Sequence, residues 1–389
     1  LCSMNELMLN ESKTFSKVLI ANRGAIATRI IRTLNDMNIQ SVAVYAQSDA
    51  ESLHVRSAGE AICLGEGGAS ETYLDIEKVI AIAKQTGAEA IHPGYGFLSE
   101  NAAFVARCEA EGIAFVGPTT EQIQVFGLKH KARELAEQAG VPLLTGTELL
   151  SDLDEAVQAA QSITYPIMLK STAGGGGIGM QVCQNEAELR DAFESVKRLG
   201  ANNFADDGVF IEKFIARARH IEVQVFGDGK GKALAIGERD CSSQRRNQKV
   251  VEECPAPNLS TTVCEKLHRT AEALVASVSY RNAGTVEFLL DADTNQFYFL
   301  EVNTRLQVEH CVTEEVFGVD LVRWMFELAA GKSFALDKLR ETLEPKGHAI
   351  QVRVYAEDPY RNFQPSPGLL TYVDFPDEAN YRIDTWVEA

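Results

Sequence analysis

The sequence predicts an α/β protein that opens with a doubly wound parallel sheet and continues into α+β structure. Three observations carry that reading. Short apolar strands alternate with amphipathic helices between residues 17 and 117, the glycine-rich loop TAGGGGIG at 172–179 sits between two apolar strands, and a carboxylate-bearing hairpin spans 284–310. Strands that alternate with helices favour a parallel sheet covered on both faces.

Composition narrows the function classes. A chain of 389 residues exceeds one small core and predicts two or three domains. The balance of 45% hydrophobic and 24% charged residues is that of an ordinary soluble protein. A net charge of -18 argues against nucleic acid as the main partner. No apolar run reaches membrane-spanning length and no signal peptide is visible, so a cytoplasmic location without membrane contact is expected. The eight cysteines never fall two or three residues apart, which excludes the usual zinc knuckles and suits reduced thiols. Residues 1–12 read as a disordered leader.

Taken in order, VLIAN from Lys17 is the first strand, 25–37 a helix with Ile26, Ile30 and Leu34 on one face, and SVAVYA the next strand. Residues 75–86 read as a helix stopped by Gly87, AEAIHP as a strand, 99–111 as a helix stopped by Gly112, and IAFVG as a strand. NRGAIA and HPGYGFLSEN then lie at strand C-terminal ends, where open sheets place ligands; either could equally be a structural turn. Thr119 and Gln122 form a capping box, and Lys129 begins a helix to residue 139. A compact unit follows: a helix at 152–162, the strand YPIMLKS, the glycine loop, the strand MQVCQ, a helix at 186–199 and the strand GVFIEKFI. Further on come a hairpin through DGKG, a helix at 259–279, a helix at 315–330, and a strand-rich tail at 344–389 in which Arg353 lies on an alternating strand.

Gly174, Gly176 and Gly179 satisfy GxGxxG, yet a dinucleotide fingerprint needs a helix next, and MQVCQ has a strand's composition. The loop is better read as a hairpin lid whose backbone N–H groups fold over phosphates, with Lys170 placing a charge on them. A flexible linker is the bland alternative. The segment ERDCSSQRRNQKVVEE offers Arg245, Arg246, Gln248 and Lys249 for an anion, or is only a surface charge run.

In the hairpin, Phe297, Phe299, Glu301 and Asn303 alternate with Tyr298, Leu300 and Val302, as in a strand with one core face and one reactive face. A register whose partners sum to 588 places Glu287 opposite Glu301 and Thr285 opposite Asn303. Two carboxylates roughly 4 to 5 Å apart repel by about 4 kcal/mol at an effective dielectric near 20. A cation would relieve that, and the oxygen-only set Glu287, Glu301, Asn303 suits Mg2+ or Mn2+. Arg305, Gln307 and Glu309 continue the alternation, though a solvated strand end would show the same pattern. A lysine, a glycine lid, metal carboxylates and an Arg/Gln/Glu row are the parts of an ATP-dependent phosphoryl-transfer site without a P-loop.

Those parts resemble the ATP-grasp architecture, and the five motifs NRGAIATRI, HPGYGFLSEN, AGGGGIGM, ERDCSSQRRNQKVVEE and FLEVNTRLQVEH resemble biotin carboxylase from residue 17 to 389. The resemblance implies an N-terminal biotin carboxylase domain at 13–127, an ATP-grasp fold at 128–330 with its glycine-rich lid at 142–215, and an incomplete C-terminal β-rich subdomain at 344–389. It assigns Lys129, Lys170, Gly174, Gly175, Gly176, Gly177, Glu212, Lys213, Ile215, His220, Gln244 and Asn247 to ATP and cofactor binding. Glu287, Glu301 and Asn303 match metal positions; Lys249, Arg305, Gln307 and Val308 match a bicarbonate pocket; Glu309 matches the base and Arg353 the residue that steadies the biotin enolate. Departures are Ala25 where Glu is usual, Ala173 for a lid glycine, Asn247 for His and Cys311 for Pro. None of these is an expected chemical group.

None of the six methionines is followed by Lys, so biotin is expected on a separate carrier domain, with a carboxyltransferase domain in the same longer polypeptide and a homodimer as the possible assembly. FGLKHKAR, KSTAGGGGIGM, SQRRNQK and IDTWVEA look most like urea carboxylase and its guanidine-using relatives. An acyl-CoA or pyruvate carboxylase component, a non-catalytic ATP-binding module, and a ligase working through an acyl phosphate are the competing expectations.

Overall fold

Val18, Leu19 and Ile20 are fully buried, and the strand Lys17–Ile20 that carries them is the centre of a five-stranded parallel sheet. Across it the order is Glu60–Gly65, Gln40–Ala46, Lys17–Ile20, Ala90–His92, Ala114–Phe115. The structure, a computed structural model, describes residues 8–9, 14–171, 179–204, 208–246, 248–377 and 380–388. Gly174, Gly175, Gly176, Gly177 and Asn247 lie outside the described residues. Met8–Leu9, expected within a disordered leader, pairs with Ser333–Phe334.

The helix Gly24–Asp36 buries Ile26, Ile30 and Leu34, as its periodicity predicts. Ile76–Thr86 begins where the Asp75 side chain accepts the Lys78 N–H and ends at Gly87 in the left-handed region. The next helix, Ala102–Ala110, starts later than expected because Asn101 is its cap. Strand Glu60–Gly65 was not foreseen; an edge strand that is mostly half-buried has a weak alternation signal.

A three-stranded antiparallel sheet orders Met180–Cys183, Ile167–Ser171, Val209–Lys213 over its own core of Leu169, Phe193 and Ile211. The strands on either side of the glycine loop therefore form the expected hairpin. A six-stranded antiparallel sheet has the order Phe297–Asn303, Arg281–Asp291, Ala218–Asp228, Ala233–Arg245, Gln248–Cys254, Ala349–Val352.

Three expectations are corrected. The register does pair Glu287 with Glu301 and Thr285 with Asn303, but it slips between Glu287 and Phe288 so that Leu300 is an extra residue. This bulge exchanges the faces: Phe297 and Phe299 join Val302 in the core, so they do not share a face with Glu301 and Asn303. The single helix expected at 315–330 is two, His310–Phe317 and Leu321–Ala329, because Gly318 turns left-handed and Asp320 caps a new start. In the tail, Ala349–Val352 completes the large sheet and Glu357–Asp358 pairs with Gln364–Pro365, whereas the expected strand beyond residue 365 is absent among the described residues. Leu369 and Tyr372 there are exposed, with no core face to hold them in a strand. No helix among the described residues is long and apolar enough to cross a membrane.

Candidate active site

Strand register builds the site. Arg239, Glu222, Glu287 and Glu301 are successive cross-strand partners over four neighbouring strands, and Gln224, Thr285 and Asn303 form a parallel row beside them. Ile221, Val223, Val286 and Phe288 alternate with these residues and bury the opposite face in the core. Lys249 reaches over from Gln248–Cys254 and its ammonium contacts Glu222 at 2.6 Å, Glu287 at 2.8 Å and Glu309 at 2.8 Å. Arg353, just past Ala349–Val352, donates to the other Glu309 oxygen at 3.0 Å and to Glu252 at 2.6 Å.

Glu287 is held from every side. Its Oε1 accepts from Lys249, from Asn303 Nδ2 at 2.8 Å and from Gln307 Nε2 at 3.0 Å, while its Oε2 lies 2.8 Å from His220 Nε2. Burial alone would push the Glu287 carboxyl up, yet His220 and Lys249 hold it far below the usual carboxylate range. His220 is raised in turn: burial lowers it, and the Glu287 carboxylate more than reverses that. Burial likewise disfavours the Lys249 charge, and Glu222, Glu287 and Glu309 overcome it, so the ammonium is fixed. Glu301 differs. It stays exposed while the surrounding protein and the Glu287 charge push its carboxyl up, with Lys129 acting in the opposite sense.

Other expected residues fall around this network. Gln244 Nε2 lies 3.3 Å from His220 Nδ1, and Arg305 donates to Asn303 Oδ1 at 3.0 Å and to Glu100 at 2.9 Å. Val308 is half-buried in the turn before the helix that starts at His310. On the small sheet, Glu212 is ion-paired with Lys170 and, at 3.1 Å, with Arg133. Lys213 donates to the Thr164 carbonyl at 3.0 Å, Ile215 is half-buried past the strand end, and Lys129 is exposed at its helix start. Arg245 and Arg246 turn away from the cluster: Arg245 pairs with Glu357 and lies over the Phe363 ring, and Arg246 donates to the Asn362 carbonyl at 2.9 Å. Of the three basic residues expected as anion donors, Lys249 alone reaches the carboxylate cluster.

Sequence reasoning missed Glu222, Arg239 and Glu252. Arg239 is fully buried and donates to Glu222 at 2.6 Å, to Gln224 at 2.7 Å and to Gln307 at 3.1 Å. A partial signal was present: Glu222 and Gln224 alternate strictly with Ile221, Val223 and Val225, which marks a strand with one apolar and one polar face, and the structure buries both faces. Also missed was the link between the two large sheets. Asn22 at the end of the central parallel strand donates to the Pro93 and Tyr95 carbonyls at 2.8 Å, fastening NRGAIA to HPGYGFLSEN. A side chain at Gly94, φ +64, would strike Asn22 at 2.8 Å. From the same loop Glu100 accepts the Thr304 N–H at 3.1 Å.

Comparison with known proteins agrees with this geometry. Family models match three segments: "Biotin carboxylase, N-terminal domain" at 14–123, "Carbamoyl-phosphate synthase L chain, ATP binding domain" at 129–337, and "Biotin carboxylase C-terminal domain" at 351–389. Urea amidolyase from Lachancea kluyveri is 55% identical over 96% of the chain, which spans 20% of that protein's length. Biotin carboxylase 2 from Bacillus subtilis is 49% identical over 95% of the chain and 82% of its own length. The solved biotin carboxylase domain dimer of Hydrogenobacter thermophilus 2-oxoglutarate carboxylase, in complex with MgADP, ADP and bicarbonate, superposes with a TM-score of 0.82 at 42% identity, covering 91% of this chain and 77% of that one. By sequence, by fold and by the ATP-grasp sheet that carries its carboxylates, the chain belongs to the biotin carboxylase family of ATP-dependent ligases that form C–N bonds.

Proposed function

We propose that this chain phosphorylates bicarbonate with ATP and transfers the carboxyl group to N1 of carrier-bound biotin. The observation that carries the reading is Lys249, whose ammonium bridges Glu287 and Glu309 at 2.8 Å each and so joins the metal-type carboxylate to the base. Glu309, flanked by Lys249 and Arg353, takes the bicarbonate proton. A bicarbonate oxygen then forms a bond to the γ-phosphorus as the bond to ADP breaks, giving carboxyphosphate, while Lys249 and Arg305 neutralise the anion. Carboxyphosphate splits into CO2 and phosphate; biotin N1 gives its proton to that phosphate and attacks CO2, with Arg353 holding the enolate oxygen. Lys129, Lys170 and His220 serve the nucleotide phosphates, and Glu212, Lys213 and Ile215 read the adenine edge.

The donor chemistry fits a hard cation. Glu287, Glu301 and Asn303 offer only oxygens once the Asn303 amide presents Oδ1, which now accepts from Arg305. Mg2+ or Mn2+ held there would draw charge from the ATP phosphates.

The final acceptor we infer is urea or guanidine, supported by the greater identity to the urea amidolyase than to the stand-alone biotin carboxylase, 55% against 49%. An acyl-CoA or pyruvate carboxylase is the alternative. The partners would be a biotin carboxyl carrier domain and a carboxyltransferase domain in the same polypeptide, and a homodimer the assembly. ADP release with Mg2+ should require both bicarbonate and biotin, and Glu309→Ala or Glu301→Ala should abolish it. Full turnover in both variants would overturn the reading; ATP bound by calorimetry but never hydrolysed would favour a non-catalytic module.

A further inference from the structure

A carboxylate from the first domain grips the strand extension that carries Arg305. Glu100 stands beside Asn101, whose side chain accepts the Phe104 N–H and caps the helix Ala102–Ala110. The loop before it is held along its length: Gly94 donates its N–H to His92 Nδ1 at 3.0 Å, Ser99 to the Gly96 carbonyl at 3.0 Å and Asn101 to the Leu98 carbonyl at 3.1 Å. Asn22 fastens the same loop through the Pro93 and Tyr95 carbonyls at 2.8 Å. Glu100 is therefore presented by a braced element and not by a loose surface turn.

Its two oxygens have different partners. Oε1 accepts from the Thr304 N–H at 3.1 Å and from Thr304 Oγ1 at 3.2 Å, where the chain leaves the strand Phe297–Asn303. Oε2 accepts from Arg305 Nε at 2.9 Å. Thr304 is buried, while the Arg305 and Glu100 side chains are 22% and 41% exposed. With Nε taken, Arg305 turns its Nη edge towards the site: Nη2 donates to Asn303 Oδ1 at 3.0 Å and Nη1 to the Leu306 carbonyl at 3.3 Å. Of these three acceptors Glu100 alone carries a charge, and a charge-assisted hydrogen bond is roughly twice as strong as a neutral one. The carboxylate thus sets the plane of the guanidinium. A planar oxyanion is recognised best within that plane, through two parallel N–H bonds, so its orientation decides how well Arg305 receives one.

We propose that Glu100 is a positioning residue for bicarbonate: from the first domain it fixes the Arg305 guanidinium with its Nη edge towards the anion pocket. The inference rests on the bicarbonate role proposed above for Arg305. Glu100 acts through Arg305 and not on the substrate, and it ties the pocket to the seating of the first domain on the large sheet.

The test uses the whole chain with Mg2+. Glu100→Gln keeps an acceptor for Thr304 but loses the charge, so the KM for bicarbonate should rise about tenfold while the KM for ATP changes by less than about twofold. In an Arg305→Lys background, which has no Nε, the same change should raise the bicarbonate KM by less than about twofold. A residue that only supported its own loop would act equally in both backgrounds. Independently of turnover, the Arg305 Nε–H signal in heteronuclear NMR should exchange with solvent about tenfold faster in Glu100→Gln than in the unmodified chain. An unchanged bicarbonate KM in Glu100→Gln, an equal effect in both backgrounds, or an unchanged Nε–H exchange rate overturns the proposal. If the unmodified chain releases no ADP in response to bicarbonate, the proposed function falls, and the Nε–H measurement still shows whether Glu100 holds Arg305.

Discussion

The large antiparallel sheet and the small one handle charge in opposite ways. In the large sheet Lys249 is mostly buried and touches three carboxylates, and Arg239, fully buried, spends its guanidinium on Glu222, Gln224, Thr285, Gln307 and Thr313. In the small sheet Lys170 is a quarter exposed and pairs with Glu212, which Arg133 also holds. A buried cation surrounded by anions is fixed before any substrate arrives, as a pocket for a small planar anion requires. A partly exposed lysine can leave its carboxylate for a phosphate at low cost, as a nucleotide site that opens and closes requires.

The largest effect expected from that contrast is at Lys249. Lys249→Met leaves Glu222, Glu287 and Glu309 facing one another without their common cation. Removing one partner of a buried ionic network costs on the order of 3–5 kcal/mol. Denaturant unfolding should show a loss of that size together with loss of bicarbonate-dependent ADP release. An unchanged unfolding midpoint would break the comparison, since it would mean that the three carboxylates relax without it.

The register of this network was legible in the sequence because the period of two in 284–290 and 296–303 fixes which side chains oppose each other. The Leu300 bulge was not, because one inserted residue leaves composition unchanged and is specified only by what the core accepts on each face. Glu222 and Arg239 were passed over for a related reason: a carboxylate and a guanidinium on separate strands look like solvated positions until the sheet order makes them neighbours. The break at Gly318 did carry a local signal, a glycine followed by the cap Asp320, whereas the missing tail strand beyond residue 365 depends on tertiary contacts rather than on local propensity. Motif spelling, by contrast, placed Lys249, Glu287, Gln307, Glu309 and Arg353 in one cluster without any knowledge of strand order.

The small sheet should respond differently. Lys170→Ala removes an exchangeable donor, so the KM for ATP should rise about tenfold, or ~1.4 kcal/mol, while stability changes by less than about 1 kcal/mol. Steady-state kinetics and an unfolding curve on the same sample separate the two. A stability loss as large as that of Lys249→Met would show the two sheets to be alike.

The smallest effect is a titration, and it falls within the large sheet. His220 lies between the Gln244 side chain and Glu287, and its pKa is above the ordinary 6.5 because the Glu287 carboxylate outweighs burial. A raised histidine stabilises the folded chain fully below its unfolded value, and that contribution is lost as pH rises through the folded one. Glu287, held far below the usual carboxylate range, stays charged throughout. The stability difference between the chain and His220→Gln should therefore shrink as pH rises from 6.5 through the raised His220 midpoint. In an NMR titration the His220 midpoint should lie above 6.5 and fall back in Glu287→Gln; a midpoint at or below 6.5 in the unmodified chain would sink the assignment. Lys249 is the neighbouring charge that holds this midpoint down, so in Lys249→Met it should move further up. That shift would show that the fixed cation of the large sheet also sets the protonation of His220.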